Sequence, residues 1–276
     1  MLNVDLSEIC DLTEEHCRTF RPVAVTEFQR DGKHLYYINA HHVSGTDNPT
    51  RTTVRQAITR FNPNLVIVER LETGTEFVKF VNEESASDFK RGGEAEYAAH
   101  LAMQHNIPFK GAEPSDKDLT AGMKELGYSA KDVMAFYLLR SIPVWRNQGV
   151  LDQSSFGERA AGHLEYWQRR AGVPETEMLS FQGFMGWFEK HNTTGKTLLK
   201  IDNNDIHPTI SSDANYFQKL HHNLDPIRER HIDTVIAKSF TEHDRVLVVY
   251  GDGHLVKSQF VFQKMFGEPG RTLQLT

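Results

Sequence analysis

Short runs of β-branched and apolar residues alternate along the chain with longer segments of helical period, the pattern of a parallel sheet covered by helices. "HLYYINA" (34–40) and "LVIVE" (65–69) read as buried strands. Between them, "RTTVRQAITRF" (51–61) reads as a helix in which Val54, Ile58 and Phe61 recur at i, i+4 and i+7. "GGEAEYAAHLAMQHN" (92–106) gives a second helix with Ala98, Leu101 and Ala102 on one face, and "IPFKGAEP" (107–114) returns as a strand. These segments make a βαβαβ unit. Residues 115–195 are helix-rich and aromatic, without internal repeats, and are expected as an insertion or lid within a single domain spanning 1–276. "KTLLKID" (196–202) is expected as a short strand, "LDPIRERHIDTVIAKSF" (224–240) as a long helix with Pro226 near its start, and "RVLVVYG" (245–251) as the last strand. The fold class that follows is α/β, a three-layer α/β/α arrangement about a mostly parallel sheet.

Composition narrows the partners rather than the fold. At 39 % hydrophobic and 25 % charged residues, the chain has the balance of an ordinary globular protein. Its formal net charge of −6 disfavours a general nucleic-acid binder. Cys10 and Cys17 form neither a disulfide framework nor a zinc set, which suggests a reducing compartment. The opening segment has no basic and apolar leader pattern, and nowhere do about eighteen apolar residues run together. A cytoplasmic protein with no membrane partner is the expectation.

In open parallel sheets the ligand crevice lies at the carboxyl ends of the strands, so the residues just past each apolar run are the candidates. They are chemically loaded: His41 and His42 after the first strand, Glu69 after the second, and Glu113 after the third. Asp202 follows "TLLKI", and Asp252 and His254 follow "VLVVYG". Each alone is an ordinary solvated strand end, but a structural rim has no reason to choose histidine and carboxylate so regularly. Two imidazoles and two carboxylates at one rim can ligate a divalent metal or form an acid/base pair, and sequence does not separate these. Glu94 would open its helix, where the helix dipole stabilises a carboxylate. Arg228 falls one turn before Ile232, Val235 and Ile236 on the expected core stripe of its helix, whereas Arg230 points aside. A guanidinium there needs carboxylates, in a structural ion pair, or a substrate anion to face.

These motifs resemble the TraB/GumN/TIKI-like group, related more distantly to the erythromycin esterase and haem-binding ChaN-type proteins. "YYINAHHVSGTDNPTRTTVRQAITRFNPNLVIVERLETG" is similar to the group's first segment, placing His42 at a G-x-x-H histidine and Glu69 at a strand-end acid. "GGEAEYAAHLAMQHNIPFKGAEP" looks like the second, with Glu94 and Glu113. "IRERHIDTVIAKSF" resembles the arginine-bearing helix, where the apolar register selects Arg228. "VLVVYGDGHL" is the best match, with Gly251 and His254 in the second G-x-x-H and Asp252 between them. One departure is that the first motif glycine is Asn39 here, a residue that can still take a left-handed turn.

The resemblance implies a hydrolase acting on a small-molecule or peptide substrate, at a peptide or ester bond. In a metal-assisted version His42, Glu69 and His254 would hold a divalent ion of the manganese, cobalt or zinc type, and Glu94 would shuttle the proton. In a metal-free version a histidine deprotonates water and Glu69 or Glu94 fixes its tautomer. Arg228 would steady the oxyanion in either. The competing class is a haem- or small-ligand-binding protein of the same scaffold, with His254 or His42 as axial ligand and the aromatic middle as either pocket lining or plain core.

Overall fold

The apolar runs that alternate with helical segments do assemble as a sheet between helices. The computed structural model describes residues 22–41, 48–69, 93–152, 154–209 and 211–275, and these divide into two units. The first comprises residues up to Glu113 and from Glu229 onward, and the second is Pro114–Arg228. The first unit contains a six-stranded sheet built from β1 (Val25–Arg30), β2 (Lys33–Ala40), β3 (Leu65–Val68), β4 (Phe109–Gly111), β5 (Arg245–Gly251) and β6 (Arg271–Leu273). Its order is β4-β3-β5-β2-β1-β6. The pairs β4/β3, β3/β5 and β5/β2 are parallel, while β1 pairs antiparallel with β2 and β6.

Helices α1 (Pro49–Phe61) and α2 (Glu94–Gln104) cover one face. Val54, Ala57 and Ile58 of α1 and Ala98, Leu101 and Ala102 of α2 pack there against Tyr36, Ile38, Val66, Val68, Leu247 and Val249. Residues of opposite parity (Leu35, Tyr37, Ile67, Val246, Val248 and Tyr250) face the other layer, as the two-residue period of a strand requires. That layer consists of α9 (Asp252–Phe266) and the final turns of α8 (Tyr216–Ser239), with Ile232, Ile236, Leu255, Phe262 and Met265 against the sheet. The result is the expected α/β/α sandwich.

The second unit is helical: α3 (Asp116–Glu125), α4 (Ala130–Asn147), α5 (Phe156–Ala171), α6 (Phe181–His191), the short α7 (Asn203–Ile206) and α8 as far as Arg228. Its aromatic residues serve as core, with Phe136, Phe184, Phe188 and Phe217 buried together. It extends beyond the 115–195 expected from sequence. No strand forms over 196–202: Leu198–Lys200 is a 3-10 turn and Asp202 caps α7 in a capping box with Asp205. The helix expected from 224 begins at Tyr216, so that Pro226 lies inside it rather than near its start. The strand β5 is not the last strand, because the edge strand β6 follows after α9.

Candidate functional site

The three strands β3, β5 and β2 are parallel neighbours, so Glu69, Gly251 and His41 leave the sheet along one edge. After β2 and β3 the chain passes to helices on one face, whereas after β5 it passes directly into α9 on the other. Divergent connections at the carboxyl ends of adjacent strands mark where ligand crevices form, here on either side of β5, including its β3 side. Glu69 and His254 occupy that position.

The expected two-glycine turn is a strand-to-helix junction. Gly251 is the N-cap of α9, with φ −56° and ψ 149°, a conformation open to any residue; its contribution is a backbone amide that donates to Glu69 Oε2 at 2.9 Å. His254 therefore sits in the first turn of α9, and it is buried at 8 % exposure. Its Nδ1 lies 2.8 Å from Glu229 Oε1 and 2.9 Å from Oε2, and its Nε2 faces Glu69 Oε1 at 3.7 Å. Lys257, one turn further along α9, places Nζ 3.5 Å from Glu229 Oε1. The Tyr250 ring meets the imidazole edge to face, with centroids 5.3 Å apart. A buried imidazole is thus clamped between carboxylates from two separate elements, with a lysine on the inner one.

Glu229 and Lys257 are the partners that sequence reasoning missed. The buried stripe of the last turns of α8 is Glu229, Ile232, Asp233, Ile236 and Ala237, one position off the register that selected Arg228. Arg228 is half-buried and is the last residue of the second unit, so the oxyanion role given to it finds no support in the helix register. Arg230 is exposed, as expected. A usable signal was present: two carboxylates, Glu229 and Asp233, four apart and in phase with Ile232 and Ile236.

The other candidates are spread along the same edge or fall away from it. Glu94 opens α2 as a buried first residue. Glu113 and Asp252 are half-buried, the latter at the first position of α9. His41 is half-buried, and its backbone amide donates to Thr50 Oγ1 at 3.0 Å. His42 lies outside the described residues. Asp202 belongs to the second unit, where it caps α7. Asn39 is not in a turn: it lies in β2 beside Tyr250, accepts from the Ala24 amide at 2.7 Å and donates to the Pro22 carbonyl at 2.9 Å.

Among the described residues no group of three or more His, Cys, Asp or Glu side chains is arranged to hold a metal ion. His254 Nε2 and Glu69 Oε1 fit as two donors of a suitable type, and a third would have to come from elsewhere, as the sequence proposed for His42. An open groove of about 560 Å³ lies elsewhere, lined by Arg55, Gln56, Thr59, Arg60, Gln274 and Leu275. Most of these are exposed polar side chains, and none belongs to the His254 cluster. The buried, charge-bearing cluster is the chemically distinctive feature. No protein-family model, curated protein or solved structure matches this chain.

Proposed function

We propose that the protein is a hydrolase of a peptide or ester bond in which His254, oriented by Glu229, is the general base, on a scaffold of the TraB/GumN/TIKI-like kind. The observation that carries this reading is the clamp itself, Glu229 on Nδ1 at 2.8 Å with Nε2 turned toward Glu69. A carboxylate on Nδ1 selects the tautomer with the proton there, leaves the Nε2 lone pair to take a proton from water, and stabilises the imidazolium that results. The hydroxide so formed attacks the substrate carbonyl, and the proton passes on to the leaving group. Gly251, lacking a side chain, gives α9 no side-chain cap, and the amides of the first turn are aligned to receive a developing oxyanion beside His254.

A divalent ion is a second reading, favoured by the pairing of Nε2 and Glu69 Oε1 across 3.7 Å with a carboxylate behind the imidazole. Carboxylate-backed histidines of this kind are common ligands. An ion bound there would polarise the carbonyl and acidify water. The haem-binding reading lacks comparable support, because the aromatic middle packs as core and the imidazole is flanked by carboxylates on both sides.

A panel of chromogenic esters and fluorogenic peptides tests the proposal, assayed with and without chelator and beside metal analysis of the purified protein. Turnover that survives chelation and falls by about 100-fold or more in folded His254→Gln and Glu229→Gln supports the metal-free base. Turnover abolished by chelator and restored by a divalent ion supports the second reading. Equal turnover by wild type and His254→Gln would reject both.

A further inference from the structure

A second carboxylate is buried in this cluster. Asp233 lies one turn along α8 from Glu229, and both side chains have 0 % exposure. Neither Asp233 oxygen makes a hydrogen bond at normal geometry, and the Ser258 hydroxyl of α9 is the donor directed toward it. A buried carboxylate in that condition is expensive as the anion, and keeping a proton relieves the cost.

The surrounding charge points the same way. On its own helix Asp233 faces Glu229; from α9 come the Ser258 hydroxyl, His254 and, at Glu229, Lys257. The buried Tyr37 on β2 faces Glu229, Glu69, Tyr250 and Asp233, and its phenol is held in its neutral form by burial and by these carboxylates. A negative charge on Glu229 disfavours a second one on Asp233. Burial pushes the Asp233 carboxyl up to about 7; Glu229 adds to that, while Ser258 and His254 pull the other way.

We propose that Asp233 is a positioning residue for His254: carried as the neutral acid one turn from Glu229, it leaves Glu229 ionised and aimed at the imidazole. The inference rests on the reading of His254 as the base of the site, but its test does not need turnover. When Asp233 ionises, a second negative charge appears beside Glu229 and disturbs the Glu229–His254 pair, so the pair becomes sensitive to pH through a residue that touches neither substrate nor the attacking water.

Two spectroscopic measurements on the full chain test this. The infrared carbonyl band of a protonated carboxyl is expected in wild type at about pH 6, where ordinary carboxylates are ionised, and should vanish by about pH 9. Asp233→Asn should lack it. By proton NMR, the downfield signal of a His254 Nδ1–H held by Glu229, identified by its loss in Glu229→Gln, should move as the pH passes about 7 in wild type and stay fixed in Asp233→Asn. A wild type without the protonated-carboxyl band overturns the proposal, and that result stands even if Asp233→Asn does not fold. A His254 signal that moves identically in wild type and Asp233→Asn overturns it as well. Absence of hydrolysis with both spectroscopic results intact would instead reject His254 as a base and leave Asp233 as the acid that holds its carboxylate partner.

Discussion

At the scale of single residues, what matters is which polar groups are buried and what satisfies them. Asn39 was read as a stand-in for a turn glycine, yet both ends of its amide tie β2 to the Pro22–Ala24 segment. Asn39→Ala leaves those two backbone groups without their side-chain partner and should cost about 1–3 kcal/mol in denaturant unfolding. An unchanged midpoint would mean the amide is dispensable. His163 in the second unit accepts from Trp167 Nε1 at 2.7 Å and lies 3.1 Å from Ser141 Oγ. Burial lowers its pKa to about 4. Between about 4 and the ordinary value of 6.5 the unfolded chain binds a proton that the folded one does not. The stability His163 contributes is therefore complete above 6.5 and is lost as the pH falls toward 4, by about 3 kcal/mol in all. His163→Gln, compared with wild type across that window, should lack this loss; parallel curves would contradict it. The helix register expected for Arg228 was one residue out of phase with the buried stripe. A helix stripe one residue out of phase looks equally apolar when Ile232 and Ile236 dominate the pattern, and only the carboxylate pair Glu229 and Asp233 distinguished the true face.

At the scale of elements, sequence was most legible where burial is two-sided. The strands β2, β3 and β5 were visible because parallel central strands read as continuous apolar runs. Strand β1, which lies between β2 and β6, and the edge strand β6 were not, since their exposed ends carry Gln29, Arg30 and Arg271 and β6 pairs with a segment distant in sequence. "KTLLKID" has the composition of a strand, but the capping box of Asp202 and Asp205 and the Lys196 bridge to both carboxylates fix it as a turn before α7. Pro226 misled in the opposite direction, because a proline marks a helix start more often than an interior, and here α8 runs through it. Capping was better encoded: Ser129 and Asp132 form a reciprocal box at the start of α4, and Asp132 also accepts from Trp187 Nε1 and Tyr216. Ser129→Ala should lower stability by about 1 kcal/mol, read as a denaturation midpoint, whereas Asp132→Ala should exceed it because it also leaves two part-buried donors without their acceptor. Equal effects would show that the aromatic hydrogen bonds contribute nothing.

At the scale of the whole molecule, His41, Glu69 and His254 follow adjacent parallel strands or their junction. What sequence could not supply was the layer facing them, because Glu229 meets His254 and Lys257 only through the packing of α8 against α9. Two buried groups should leave opposing marks on stability as a function of pH. Asp233 has its pKa raised from 3.8 to about 7, so the folded state holds a proton the unfolded state has released, and stability falls as the pH rises through that range and is level above it. The size is about 4 kcal/mol. His163 contributes the opposite slope below 6.5. Asp233→Asn should therefore gain stability relative to wild type as the pH rises from about 4 to about 7, and a constant difference between the two would mean that Asp233 is ionised when folded.

The central claim is that His254 is the reactive base, and the most direct measurement is kcat/KM for wild type, His254→Gln and Glu229→Gln on one substrate found in the hydrolysis panel, with thermal unfolding followed in parallel. The account predicts folded variants, with His254→Gln reduced by about 100-fold or more and Glu229→Gln reduced because the tautomer is no longer held. Wild-type kcat/KM in a folded His254→Gln would contradict it and leave the Glu229–His254–Glu69 clamp a structural ion cluster.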